Sequence, residues 1–575
     1  VSSITSNALL VVVLLWASMG QAQQPPSARS AETPPGSITG RIVDSSGQPI
    51  NGASVSAISL SVVSRQKTAT ADSRGDFKID GLGPGLYNVF ASVPGYITAG
   101  RTPGDAPAYN HPGDSVTFTM TKGGVITGTV TGPNGPVVGV GVFATRVRDA
   151  SGTKIPNVTP GGNERRTDDR GVFRFYRLPA GSYVLVATAP RVGITLASAF
   201  DNDVPTFYPS STRDTAAEIL VHEGDEITAD IQYRGEPGHA ISGKISGAVA
   251  DQLTFTSTPQ VTITDVRSRA QLGTASTPYG NNSSFAIYGI PDGEYELFAR
   301  QYLPTRNELR SRPLRIKVSG ADVTGLSMTL APLDASIEGH LVFEPDPRVE
   351  CAKRKDTAAQ ETPVYANRIG PEKNADPKTA ELDVPLSLRN SSSFAIGNAK
   401  GLFTLRVVPG SYRIDPRPQR GWYLRSVTSS TAARTTGDVF SVHAAERVSG
   451  LTVTITEGAA LVRGHISANE SKSLPAHARV YLVPAEREAV NNVYRFYERA
   501  AERDGSFNLD NVAPGRYLIV ARQAEENESG VTKLVRLDEA LRTTVLKEAE
   551  AMKKALALKP CEQVADFDLS YVSPR

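Results

Sequence analysis

A Phe, a Gly and a Tyr recur five times along this chain at nearly constant spacing: Phe77, Gly85, Tyr87; Phe173, Gly181, Tyr183; Phe285, Gly293, Tyr295; Phe403, Gly410, Tyr412; and Phe507, Gly515, Tyr517. The Phe-to-Gly step is eight residues in four copies and seven in the fourth, and the Tyr always lies two after the Gly. With only 19 Tyr among 575 residues, five such coincidences require a repeat. A period of roughly 110 residues is too long for a solenoid repeat and suits a small domain with its own core.

The rest of each copy reads as short strands. Every copy opens with a Gly flanked two positions away by apolar residues: Ile38, Gly40, Ile42; Ile126, Gly128, Val130; Ile241, Gly243, Ile245; Ile337, Gly339, Leu341; Val462, Gly464, Ile466. This period-two pattern buries one strand face, and a Gly on that face lets a neighbour approach closely. Two residues before the Phe stands Gly75, Gly171, Gly401 or Gly505, with Ser283 in the third copy. That position predicts a turn with positive φ, capped by Asp72 and Asp168 three residues earlier in the first two copies. The Phe and Tyr segments alternate (Phe77 with Ile79, Tyr87 with Val89), as do closing segments such as Val116, Phe118, Met120 and Ile227, Ala229, Ile231. Several short alternating strands in about 110 residues predict a β-sandwich, because two sheets can bury each other's apolar faces where one cannot.

The expected architecture is all-β, with five tandem Greek-key sandwiches at 36–122, 123–234, 235–331, 332–456 and 457–575. The fourth carries an insertion within about 345–400. The fifth holds a helical run from Asp538 to Leu556, with Leu541, Val545, Met552 and Leu556 among its apolar positions, ended by Pro560. Residues 1–22 read as a signal peptide, since the apolar run Ala8–Gly20 is too short to span a bilayer and Gly20-Gln21-Ala22 fits a small-residue cleavage site. Residues 23–35 read as a linker. The expected location is bacterial and secreted, periplasmic or at the cell surface, with no membrane span in the mature chain. A balance of 61 basic and 59 acidic residues gives no field suited to phosphates, so nucleic acid is not an expected partner. The two cysteines, Cys351 and Cys561, either pair across the fourth and fifth copies or stand apart as small buried residues.

The opening I-x-G-x-I, the D-x-x-G-x-F turn at Asp72–Phe77 and the P-G-x-Y at Pro84–Tyr87 resemble bacterial carboxypeptidase regulatory-like domains, relatives of transthyretin-like and Cna B-type modules. The resemblance implies a seven-stranded, prealbumin-like Greek-key sandwich of the kind called a carbohydrate-binding-like fold. It implies little about chemistry, because such sandwiches host many roles. Cna B-type relatives can form a Lys-to-Asn isopeptide bond. Here only the third copy has a Lys in the opening strand, Lys244, and no closing strand has an Asn, so the bond is not expected.

The histidines do not read as a catalytic set. His443 with Glu446 has a two-ligand spacing, but His111 with Asp114 and His222 with Asp225 repeat it before the closing strands of the first two copies, which marks a turn. A catalytic zinc would need a third ligand, a base and an enclosing domain. No cofactor and no enzymatic activity are expected. The leading reading is a structural, adhesion or interaction module of the cell envelope that binds an envelope protein. A polysaccharide-binding protein is the alternative, with Phe200, Asp201, Asp203, Phe207 and Tyr208 in the second copy, or Trp422 and Tyr423 in the fourth, as the sugar-contacting groups. A peptidase accessory domain is a third.

Overall fold

The computed structural model describes residues 36–571, apart from 61–65, 99–108, 156–163, 190–197, 249–257, 277–283, 304–307, 333–334, 346–350, 352–358, 372–383, 390–391, 431–434, 468–473, 528–531 and residues 437, 445, 476 and 503. The expected signal peptide and linker and Ser283 lie outside these residues. The described chain is mostly strand, divided among many separate sheets, with one α-helix. Each copy supplies one pair of facing sheets, numbered here as units one to five.

In every unit the opening strand lies between two others, antiparallel to the Phe strand and parallel to the closing strand. In unit one, Gly36–Asp44 pairs antiparallel with Asp76–Leu82 and parallel with Ser115–Lys122. The same three-strand arrangement recurs with parallel closure in units two to five. Parallel neighbours cannot be joined by a hairpin, so the chain crosses through the second sheet between them. That second sheet pairs the Tyr strand with the strand after the opening one, as in Tyr87–Ser92 with Ser54–Ser59.

Register explains the recurring residues. The opening Gly is the direct cross-strand partner of the Phe in all five units: Gly40 with Phe77, Gly128 with Phe173, Gly243 with Phe285, Gly339 with Phe403 and Gly464 with Phe507. A Cβ on Gly40 would lie 2.7 Å from the Phe77 ring and 1.9 Å from the Val116 carbonyl oxygen; on Gly464, 2.7 Å from the Phe507 ring and 2.0 Å from the Phe567 carbonyl oxygen. In units one, two, four and five the Phe ring takes the space a side chain would need, and in unit three Leu326 does. The Tyr hydroxyl then donates to the carbonyl four residues earlier in each unit: Tyr87 to Gly83 at 3.0 Å, Tyr183 to Pro179 at 2.6 Å, Tyr295 to Pro291 at 2.8 Å, Tyr412 to Val408 at 2.6 Å and Tyr517 to Ala513 at 2.7 Å. This bond closes the turn that launches the Tyr strand and satisfies the hydroxyl of a buried ring. The positive-φ turn is present where described, with Gly75 at +76°, Gly171 at +75°, Gly401 at +78° and Gly505 at +88°. Asp72 Oδ1 accepts from the Arg74 and Asp76 amides at 2.8 and 2.9 Å, and Asn398 does the same for Lys400 and Leu402 in unit four.

Two expectations are corrected. The helix is Glu539–Met552, shorter than the apolar pattern indicated. Asp538 caps it by accepting from the Leu541 amide at 2.8 Å, and Lys553 ends it in the left-handed conformation with φ 54°, seven residues before Pro560. Leu556 belongs to the next strand, Ala555–Leu558, and Met552 is exposed, whereas Leu541, Val545 and Ala549 pack on Tyr481, Val483 and Val520 of the unit's own sheet. The segment Ile227, Ala229, Ile231 is not one strand. It breaks between Glu226–Thr228 and Ile231–Gln232, where Asp230 Oδ1 accepts from both the amide and the hydroxyl of Thr129 at 2.8 Å.

Replacing Gly464 by Ala forces its Cβ into a carbonyl and a ring that are both held by their own strands. We expect Gly464→Ala to lower stability by about 1–3 kcal/mol, read as a reduced urea midpoint by Tyr fluorescence; an unchanged midpoint would show that the ring-over-glycine contact is not needed.

Candidate interaction surfaces

The aromatic residues picked out by sequence are engaged in packing. Phe200 stands edge-on to Tyr233 with ring centroids 5.7 Å apart, and both Phe200 and Tyr208 pack against the core of unit two. Asp201 accepts from the Ser198 amide at 2.7 Å and Asp203 from the Tyr233 hydroxyl at 2.9 Å. Phe207 pairs in register with Val186. Trp422 is 7% exposed, edge-on to Phe343 at 5.8 Å in the core of unit four. Its neighbour Tyr423 packs against the core of unit five. The structure therefore brings the unit-two residues into one loop region but gives them internal partners, and keeps Trp422 and Tyr423 at the boundary between units four and five.

The histidine turns have a common geometry. The carboxylate accepts from the His backbone amide three residues before it: Asp114 from His111 at 2.7 Å, Asp225 from His222 at 2.9 Å and Glu446 from His443 at 2.7 Å. Glu562 does the same for Lys559 at 2.6 Å, so the acid and not the imidazole is the constant part. His239 Nε2 lies 3.2 Å from Asp292, His465 bonds the Asp504 carbonyl, and His477 bonds Ser151 at 2.8 Å and Thr153. Among the described residues, no group of three or more His, Cys, Asp or Glu side chains is placed to hold a metal ion. Lys244 is exposed and lines a shallow groove with Ser242, Ser284 and Ser327.

Contacts join the units to one another, some across units far apart in sequence, and apart from the Cys351–Cys561 pairing, sequence reading missed them. Glu361 of unit four, 5% exposed, accepts from the Gly85 amide of unit one at 3.2 Å and from Gln419, while its carbonyl lies 3.3 Å from His111 Nε2. Glu296 of unit three accepts from the Leu386 amide of unit four at 2.7 Å; burial pushes this carboxyl above its usual range against the opposing pull of that amide. The contact of His477 with Ser151 and Thr153 links unit five to unit two. Units four and five share Arg536, which donates to Asp415 at 2.9 Å and to the Phe496 carbonyl at 2.7 Å, with its guanidinium 4.9 Å from the Tyr497 ring. Arg413 meets both Asp438 and, at 2.6 Å, the Arg536 carbonyl. A disulfide joins Cys351 to Cys561, with Cα atoms 5.7 Å apart. A weak signal for the junction of units four and five was present in the sequence, since Arg413 and Asp415 stand in a strand whose other residues are mostly core.

Comparison with known proteins bears on the first unit. A family model for the carboxypeptidase regulatory-like domain matches residues 37–121. This regulatory-like domain coincides with the two sheets of unit one, Gly36–Asp44 through Ser115–Lys122. No curated protein matches the chain. Among solved structures, the chain is similar to the Bacillus anthracis TIE protein at 15% identity, covering 52% of this chain and 51% of that one, with TM-score 0.14. The chain thus spans about half the length of that protein. It is also similar to GBS52, the minor pilin of Streptococcus agalactiae (13% identity, 34% and 94% covered, TM-score 0.18). A third similarity is to two B repeat units of the collagen-binding protein Cna of Staphylococcus aureus (10% identity, 74% and 100% covered, TM-score 0.13). No helix among the described residues is long and apolar enough to cross a membrane.

Two measurements check these junctions. Alkylation without reductant should leave Cys351 and Cys561 unlabelled, and alkylation after reduction should add two labels; labelling without reductant would show free thiols. At the junction of units one and four, burial disfavours the charged His111 ring, but its bond to Asp114, the Glu361 carbonyl and the two carboxylate charges outweigh this and raise its pKa above 6.5. A raised folded pKa means that the protonated ring stabilises the folded chain, fully below the unfolded value near 6.5 and less as pH rises through the higher folded one. The urea midpoint of wild type, relative to that of His111→Gln, should therefore fall across that rise; a difference that does not change with pH would contradict the assignment.

Proposed function

We propose that this chain is a non-enzymatic, exported β-sandwich protein that serves as a structural, adhesion or interaction module of the bacterial cell envelope, built of five domains at 36–122, 123–234, 235–331, 332–456 and 457–575. The observation that carries this reading is the set of contacts between units distant in sequence, above all Glu361 with Gly85 and His477 with Ser151. Such contacts fold the array back on itself and suit a scaffold that holds its surfaces in fixed relation rather than a flexible string.

The side chains that hydrolytic chemistry would recruit already have structural roles. The histidine turns use their acids to cap backbone amides, and His111 and His477 sit at junctions between units. Half-buried Glu498 accepts from the Val535 amide at 2.9 Å, and desolvation pushes its carboxyl upward while Arg479 and that amide oppose the shift. A cross-link between Cys351 and Cys561 supports extracytoplasmic placement, since such bonds persist in oxidising compartments.

Small-angle scattering tests the reading. A chain of this length gives a radius of gyration near 25 Å when fully globular, and the folded-back array should lie closer to that value than to the roughly twofold larger one of an extended string. Arg536→Ala combined with reduction of the disulfide should expand the particle while far-ultraviolet dichroism stays the same. A wild-type particle with the dimensions of a string would overturn the fixed-scaffold reading.

A further inference from the structure

The residue three after the recurring Tyr points out of its sheet, away from the core, in every unit. It is buried in four of them: Val186 is 8% exposed, Phe298 7%, Asp415 7% and Val520 0%. The counterpart in unit one, Phe90, is 40% exposed. The equivalent faces of units four and five are covered by other parts of the chain, through Arg536 on Asp415 and the helix on Tyr481 and Val520. Among the described residues, none buries Phe90 on the outer face of the Tyr-strand sheet of unit one.

That face has a distinct composition. Alternation along Tyr87–Ser92 places Asn88 and Phe90 outward. Register sets Ser56 opposite Phe90 and Ile58 opposite Asn88, with Thr68 and Gln66 on the third strand beside them. Ile58 is 36% exposed, Gln66, Thr68 and Asn88 are exposed, and the Gln66 amide donates to Ser56 Oγ at 3.1 Å. With Ser54, Thr70 and Ser92 at one end, the outward groups of these three strands are one aromatic ring and one aliphatic side chain amid hydroxyls and carboxamides, without a charge, in a protein in which 21% of residues are charged; Ser56 alone among them is buried, at 6% exposed. The covered outer faces differ: they carry Phe143 and Val186 in unit two, Arg413 and Asp415 in unit four, and Tyr481 and Val520 in unit five.

We propose that this open face of unit one is a binding site for a neutral polysaccharide. The Phe90 ring offers an apolar plane for the C–H face of a sugar, and Asn88, Gln66 and Thr68 offer neutral donors and acceptors for its hydroxyls. An anionic glycan or a phosphate would require cations that the face does not have. The faces covered by protein are either apolar, as with Phe143 and Val186 in unit two and Tyr481 and Val520 in unit five, or charged, as with Glu296 in unit three and Arg413 and Asp415 in unit four, and this face, uncharged and with only Phe90 and Ile58 apolar, is like neither. Three strands at sheet spacing give a plane about 10 Å across and 20 Å long, broad enough for an extended chain of sugar rings. The proposal extends the adhesion reading by naming a ligand class.

Affinity electrophoresis of the full chain through gels containing laminarin, dextran, mannan or hydroxyethyl cellulose, with alginate as the anionic control, tests it. At least one neutral gel should retard the protein equally at low and high salt, and alginate should not. Phe90→Ala should weaken that retardation about tenfold, Asn88→Asp should also weaken it, and Phe90→Trp should preserve it, all three keeping the wild-type dichroism spectrum. The proposal fails if no neutral glycan retards the protein, if retardation survives Phe90→Ala, if it is lost in salt, or if sedimentation shows a dimer that Phe90→Ala dissociates. None of these failures touches the scaffold reading, which scattering decides independently.

Discussion

A phenylalanine paired directly across the strand from a glycine is the contact on which each unit depends, and in units one, two, four and five its ring lies where the glycine's Cβ would be. It fixes the register of the Phe strand against the opening strand and brings the closing strand's carbonyl to where a Cβ would otherwise be. Because side chains alternate between faces, a one-residue slip would turn the ring to solvent and expose the whole apolar set with it. The Tyr hydroxyl bond then pins the turn into the second sheet, so two aromatic side chains, one on each sheet, define how the sandwich closes. The core aliphatics can vary from copy to copy around these two because they need only fill volume.

Polar groups hold the units to one another. Buried Glu296, Glu361, Arg413 and Asp415 bond to partners from other units, often to backbone amides or carbonyls. A carboxylate taken out of water is costly unless it is fully paired, so these junctions specify one arrangement more than they add stability. The outer faces of units four and five have a cover to match their side chains, and the open face of unit one carries side chains compatible with water.

The strand pattern and the landmark residues were legible because they repeat and because their spacing maps directly onto a pleated strand and a tight turn. The regular histidine-acid spacing was equally legible as a turn, and the acids do bond backbone amides there. The helix was legible in existence but not in extent: a left-handed Lys553 ended it, and no glycine or proline at that position signals the stop. Whether the aromatic residues weighed as sugar contacts were exposed was not legible, because an aromatic in a loop and an aromatic in a core look the same in one dimension; Trp422 packs on Phe343 while Phe90, on an alternating strand, is exposed.

By itself the sequence determined five alternating, glycine-punctuated strand sets, the aromatic landmarks and the capping helix on the last, because these follow from local periodicity and turn chemistry that each copy states separately. Only the tertiary structure decided which units meet, that Cys351 reaches Cys561, which sheet faces are covered and which one is left open. Such contacts depend on how rigid units stack across hundreds of residues of chain, and no periodicity within a copy encodes the relative placement of two copies.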